Sequence, residues 1–178
     1  MTRLNKNNMA PDFRTVDFLG NSVSLSSHSG KQTLLCFFRG AACPFCNMRL
    51  HELIEAYPEL SKNGLNIITV FSSTATEIAE FSGRQEPPFP IIPDPALDLY
   101  RKYGVEQSSM GLIKTMMRPK RMWQMMTSEF FDTKAMNDRP IIPADFLIDS
   151  ELQISRVYYG QNFSDHIPIS EVKNWLKK

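Results

Sequence analysis

The apolar positions of this chain fall into short continuous blocks separated by helical spacing. KQTLLCFF (31–38) is a continuous apolar run of strand length, as expected for a central strand covered on both faces. Cys46, Leu50, Leu53, Ile54 and Tyr57 then recur at the spacing of one helical face. Pro44 suits the first turn of that helix, and Gly64 lies where a chain leaves one. LNIITVFSS is the next buried strand, and TATEIAEFSGRQ is a helix opened by a Thr or Ser cap. PFPIIPDP predicts a short extended segment, and ALDLYRKYG a short helix ended by Gly104.

Upstream of the central run, APDF and TVDFLGNSVSLSS predict an extended entry, a turn at Gly20-Asn21 and a short strand. Near the other end, IIPADFLID and LQISRVYYG predict two strands joined at Asp149-Ser150, and PISEVKNWLKK a closing helix. Strand–helix alternation demands a largely parallel sheet with helices on both faces, and the hairpin adds antiparallel strands. The expectation is one α/β domain over residues 1–178 with a central mixed sheet. A helical insertion is expected at 107–138, before the hairpin.

Composition narrows the function classes. Of 178 residues, 42% are hydrophobic and 22% charged, the balance of a chain that buries a sizeable core. A net charge of +1 gives no electrostatic reason to expect nucleic acid. No apolar run approaches the roughly 18 residues of a membrane span, and MTRLNKNNMAPDF lacks the apolar stretch of a secretory signal. The chain reads as cytoplasmic and not membrane-bound.

The three cysteines all lie in LLCFFRGAACPFCNMRLHELI (34–54), where the central strand meets the helix. They are too few for a disulfide framework, and a close pair in a reducing compartment is catalytic or metal-binding more often than structural. A cysteine at a helix start faces unpaired backbone N–H groups and the positive dipole end, which favour thiolate. Cys43 is therefore the candidate nucleophile, partly open to substrate. Cys46, one turn on, is the candidate resolving thiol, and Pro44 stiffens the turn between them. Cys36, inside the strand, reads as a small core hydrophobe. His51 reads as an exposed or half-buried helix residue, and His166 as part of a surface loop or helix entry.

On these residues the chain resembles the thioredoxin-like superfamily, and within it the peroxiredoxin-like branch of the alkyl hydroperoxide reductase/thiol-specific antioxidant (AhpC/TSA) family. The likeness begins at APDF and NSVSLSSHSGKQTLLCFFRG, includes CPFC and PDPALDLYRKYGV, and resumes at PADFLID and SDHIP. It implies a thioredoxin fold and thiol-based redox chemistry, with a peroxide or protein disulfide as substrate. An external dithiol of thioredoxin or glutathione type would be the reductant, and no organic cofactor or metal is required. It also matches Pro143 to the cis-proline that faces the active cysteine and shapes the substrate groove. The family pattern Pro-x-x-x-Thr-x-x-Cys is altered here, with Cys36 at the proline position and Gly40 at the threonine position. Loss of that hydroxyl predicts slow peroxide turnover beside competent disulfide exchange. The usual family arginine near the last strands is displaced by Pro143, leaving Arg39 and Arg139 as local candidates for its charge; Arg39 otherwise caps the strand end in solvent.

Three other readings stay open on the residues alone. CPFC is similar to the CPYC of glutaredoxins, but no Gly-Gly-x-x-Asp motif follows Pro143. A non-enzymatic zinc- or copper-binding protein would join Cys43 and Cys46 to His51 or His166. The segment from Met110 to Met136 holds seven of ten methionines with Trp123, Phe130 and Phe131. Its density of large apolar groups predicts burial, either on the domain's own core or as a lid or homodimer surface.

Overall fold

The computed structural model describes residues 2–108, 119–128, 130 and 139–177. A two-stranded antiparallel hairpin, β1 (Arg14–Val16) and β2 (Ser22–Ser24), turns at Gly20, whose φ of 90° suits glycine. The main sheet has the order β5-β4-β3-β6-β7, formed by β3 (Gln32–Phe37), β4 (Leu65–Phe71), β5 (Ile91–Pro93), β6 (Ala144–Ile148) and β7 (Ile154–Tyr159). β3, β4 and β5 run parallel, while β6 is antiparallel to β3 and to β7. The mixed sheet follows from the connections: helices return the chain between the parallel strands, and a hairpin joins β6 to β7.

β3 is central, and its side chains alternate between two cores as the strand period requires. Leu34, Cys36 and Phe38 join one cluster with Leu50 and Leu53 of α1 (Pro44–Lys62), Ile78 of α2 (Ala75–Glu80) and Val172 of α5 (Ile169–Leu176). Leu35 and Phe37 join the other, with Phe13, Phe146 and Tyr100 of α3 (Asp98–Lys102). Helices thus cover both faces, as the patterning predicts.

The helix ends follow local chemistry. Thr74 caps α2 in a full capping box, its hydroxyl accepting from Glu77 N–H and its own N–H donating to the Glu77 carboxylate, worth about 1 kcal/mol. At Gly104 a Cβ would lie 2.7 Å from the Thr2 carbonyl oxygen, so the close passage of the N-terminal segment demands glycine. The hairpin turn is longer than the Asp149-Ser150 pair expected from sequence. The Asp149 carboxylate accepts from the N–H groups of Glu151 and Gln153, and Leu152 takes a φ of 62°.

The expected insertion leaves and returns at one point. Gln107 bridges Ile141, Ser108 N–H donates to the Pro140 carbonyl, and Ile142 N–H to that of Glu106. Within it, α4 (Pro119–Met126) half-buries Met122 against the core, but leaves Trp123 at 68% and Met126 at 65% exposure. The expectation of burial therefore fails for those two side chains: an eight-residue amphipathic helix turns only one face inward. Met110, Met116, Met117, Phe131 and Met136 lie outside the described residues.

Candidate active site

The segment between β3 and α1 is held on several sides. Beyond β3, Phe38 N–H still donates to the Val70 carbonyl, and the Arg39 carbonyl accepts from the N–H and hydroxyl of Ser72. Ala41 N–H then donates to Ser73 Oγ at 2.9 Å, and Cys43 N–H to the Gly40 carbonyl at 3.1 Å. The Ala41 carbonyl accepts from Asn47 Nδ2 and Ser82 Oγ. This bracing delivers Cys43 to the N-cap of α1, with Pro44 at N1, where a missing N–H costs no helix bond. Cys46 follows in the first turn.

Neither cysteine is in a disulfide, and neither thiol is open: Cys43 is 0% and Cys46 1% exposed. That corrects the expectation of a partly exposed nucleophile, because β3 and α1 bring the pair into the core cluster they share. Arg39 connects the two sulfurs. Its Nη1 lies 3.8 Å from Cys43 Sγ, and its backbone N–H faces the Cys46 sulfur. The guanidinium is fixed by Nε donating to the Arg139 carbonyl at 3.0 Å and by the Phe163 ring, 4.5 Å away at its centroid. Arg39 is 8% exposed, so it does not cap the strand end in solvent. Burial pushes the Cys46 thiol well up, and the hydrogen bond to Cys43 and the charge on that sulfur push the same way; the Arg39 N–H and guanidinium oppose them.

The remaining sequence candidates separate. Arg139 sends its guanidinium to the Pro95 carbonyl, and only its own carbonyl serves the site. Pro143 is buried at the start of β6 and its peptide bond is trans, unlike the cis form implied by resemblance; its carbonyl accepts from Gly160 N–H at 2.9 Å. His51 is half exposed beside Glu55. Cys36 is wholly buried, and burial pushes its thiol up, followed by the charge of Asp145.

His166 is not a surface residue. Its side chain is 4% exposed and its Nδ1 lies 3.0 Å from Asp145, which is wholly buried. Asp145 also accepts from Ile167 N–H at 2.7 Å, and the Ile167 carbonyl accepts from Arg49 Nη2 at 2.7 Å. Burial alone would raise the Asp145 carboxyl, but the His166 ring, Arg49 and the Ile167 N–H outweigh it and hold the group below its ordinary range. This network ties α1 to the segment that carries Phe163. The signal was present in IIPADFLID, where one carboxylate interrupts a strand otherwise apolar on both faces; a charge buried there needs a partner.

Among the described residues no three His, Cys, Asp or Glu side chains are grouped to hold a metal ion, and no helix is long and apolar enough to cross a membrane.

Comparison with known proteins agrees with this architecture. The model of the AhpC/TSA family matches residues 7–157. Peroxiredoxin Bcp of Escherichia coli is 26% identical over 180 residues, covering 100% of this chain and 99% of that protein. A putative peroxiredoxin of Mycobacterium tuberculosis is 27% identical over 103 residues, 58% of this chain and 66% of that one. Among solved structures, peroxidoxin BcpB of M. tuberculosis superposes with a TM-score of 0.70 at 14% identity, covering 98% of this chain and 96% of that one. A PrxQ variant of Xylella fastidiosa gives 0.73 at 15%, covering 99% and 98%.

Proposed function

The chain belongs to the AhpC/TSA family, and from that premise we propose that it is a thiol-dependent peroxidase with Cys43 as nucleophile and Cys46 as resolving thiol. The Cys43 thiolate attacks one peroxide oxygen; an S–O bond forms, the O–O bond breaks, and the leaving oxygen departs as water or an alcohol once protonated. Cys46 then attacks the sulfenic acid, and water leaves as the Cys43–Cys46 disulfide closes. An external thiol reductant restores the pair through a mixed disulfide. The work fits one domain in a reducing compartment such as the cytoplasm.

The observation that carries this reading is Arg39 beside both sulfurs. Positive charge from its guanidinium and from the α1 N-terminus stabilises the Cys43 thiolate and the oxyanion leaving the peroxide. The same geometry times the second step. Two of the influences that keep Cys46 protonated come from Cys43, its hydrogen bond and its charge. Oxidation of Cys43 removes that charge, while the Arg39 N–H and guanidinium remain to favour the Cys46 thiolate. The first reaction arms the second.

Turnover of hydrogen peroxide, an organic hydroperoxide and a protein disulfide in parallel tests the proposal. With dithiothreitol as reductant, the wild type consumes both peroxides in cycles, whereas with a monothiol as reductant Cys46→Ser accumulates a mixed disulfide in place of the internal one. A Cys46→Ser protein that keeps full turnover with a monothiol and traps nothing would assign a one-cysteine mechanism instead. Phe163 enters as a positioning residue, because it holds the guanidinium against Cys43. A desolvated cation–π contact is worth about 2 kcal/mol. Phe163→Leu therefore slows alkylation of Cys43 near neutral pH by up to roughly thirtyfold, and Phe163→Tyr restores it. Equal rates in the leucine variant would remove Phe163 from the site.

A further inference from the structure

The turn that carries Cys43 is held by more than its own helix. Both hydrogens of the Asn47 amide go to it: Nδ2 donates to the Ala41 carbonyl at 2.7 Å and to the Cys43 carbonyl at 3.1 Å. Asn47 Oδ1 accepts from Gln85 Nε2 at 3.1 Å, and the same nitrogen reaches the Asn47 carbonyl at 3.3 Å. Gln85 ends a 3₁₀ turn (Ser82–Gln85) whose first residue, wholly buried, donates its hydroxyl to the Ala41 carbonyl at 3.0 Å. We propose that Asn47 and Gln85 are positioning residues that set the effective concentration of the Cys43 and Cys46 thiols toward each other, and so the stability of their disulfide. This inference rests on the resolving role of Cys46 and adds what prepares that step.

Three observations carry it. The amide bonds join Ala41 and Cys43 to Asn47, and both cysteines fall within that span. Residues three apart in a 3₁₀ helix eclipse one another, so Ser82 and Gln85 address the clamp from one side, each at a different point. The 3₁₀ turn is itself fixed, since a Cβ on Gly83 would lie 2.9 Å from the Ile78 carbonyl oxygen and 2.9 Å from the Phe18 ring. The sense of the bonds is the third. Carbonyls only accept, so Asn47 must present its nitrogen to the turn, and Gln85 enforces that by donating to Oδ1. Gln85 Oε1 is buried with no partner among the described residues, so this side chain is held by its donor bonds alone.

Groups held in place before a reaction have already lost the freedom that the reaction would cost them, which appears as a high effective concentration. Cys46 hydrogen-bonds to Cys43 in the reduced protein, and the clamp holds the Cys43 backbone against the turn that carries Cys46. In exchange with a small disulfide, the Cys43 thiolate attacks one sulfur and releases the other as a thiolate. Cys46 then displaces the attached thiol, so the protein pair loses two electrons and two protons and two small thiols gain them. Only the second, intramolecular displacement draws on the clamp.

Equilibration of the full-length protein with β-mercaptoethanol and its disulfide, quenched by acid and read by mass spectrometry after alkylation, measures this effective concentration directly. Asn47→Leu is expected to lower it about tenfold, which raises the reduction potential of the pair by about 30 mV. Gln85→Met should lower it about threefold, and the double variant no further than Asn47→Leu alone, because Gln85 acts through Asn47. An effective concentration unchanged or raised in either single variant overturns the proposal, as does a roughly thirtyfold loss in the double variant, the product of independent effects. Should Asn47→Leu fail to fold, Gln85→Met decides alone. A wild type that forms no Cys43–Cys46 disulfide in any buffer is a different failure: it removes the resolving role of Cys46, and the role of the clamp with it.

Discussion

Cys43→Ser loses peroxide reduction altogether, and Arg39→Leu, with every thiol in place, loses about 10²–10³ of the rate. The first result follows because Cys36 is wholly buried in the strand and Cys46 is held protonated, so no other sulfur can replace the nucleophile. On the proposed mechanism the second follows because one guanidinium at 3.8 Å from the sulfur would supply both the charge that favours thiolate and donors for the departing oxygen. Gly40 stands where the family pattern has a threonine hydroxyl, so Arg39 carries a larger share of that work. Arg39→Lys keeps the charge but cannot also reach the Arg139 carbonyl with a fixed planar fork, and recovers only part of the rate. Values of kcat/KM for hydrogen peroxide, with circular dichroism to verify folding, decide the matter. An Arg39→Leu enzyme within threefold of wild type would show that the helix terminus alone activates Cys43.

The largest stability effect is expected at Asp145. Its side chain is wholly buried and joined to His166 and Ile167, so Asp145→Ala strands a buried imidazole and a backbone N–H. Breaking a buried pair from one side costs about 3–5 kcal/mol, a large part of a total stability of roughly 5–15 kcal/mol. The carboxyl is held below its ordinary value in the folded state. Its contribution is therefore present above the unfolded value, about 3.9, and is lost as pH falls through the lower folded value. Melting temperatures measured from pH 6 downward should drop more steeply in wild type than in Asp145→Asn. Parallel slopes would mean that Asp145 binds its proton equally in both states.

Much of the fold was legible because local signals agreed with one another. The KQTLLCFF run, the Cys46-Leu50-Leu53 stripe and the Thr or Ser cap ahead of the α2 segment each named their element without tertiary information. The position of the cysteine pair at the start of α1 was legible for the same reason, since it depends on neighbours in sequence. What the sequence did not show depends on distance along the chain. Arg39 meets Arg139 across 100 residues, and Asp145 meets His166 across 21. Neither pairing leaves a periodic trace. His166 looked like part of a polar loop because its partner lies on a strand, and Phe163 looked like one more apolar residue because its role is to press on a cation. Trp123 and Met126 show the converse error, in which apolar composition was read as burial although α4 shows one face to solvent.

In the proposed cycle, the contact between Cys46 and the Cys43 sulfur, already made in the reduced protein, also sets a lifetime. A sulfenic acid has two fates: capture by a thiol, or attack on another peroxide to give the sulfinic acid, a one-way step for most proteins. Capture here is first-order and needs no helix to unwind, since both sulfurs lie within the opening turn of α1. Destruction is second-order overall, because it needs a further peroxide molecule to meet the sulfenic acid before Cys46 does. At modest peroxide the partition falls almost wholly to capture, and inactivation per cycle stays rare. Such an enzyme endures through sustained oxidant exposure, and it makes a poor sensor, because the oxidised form that would carry a signal is consumed as fast as it is made.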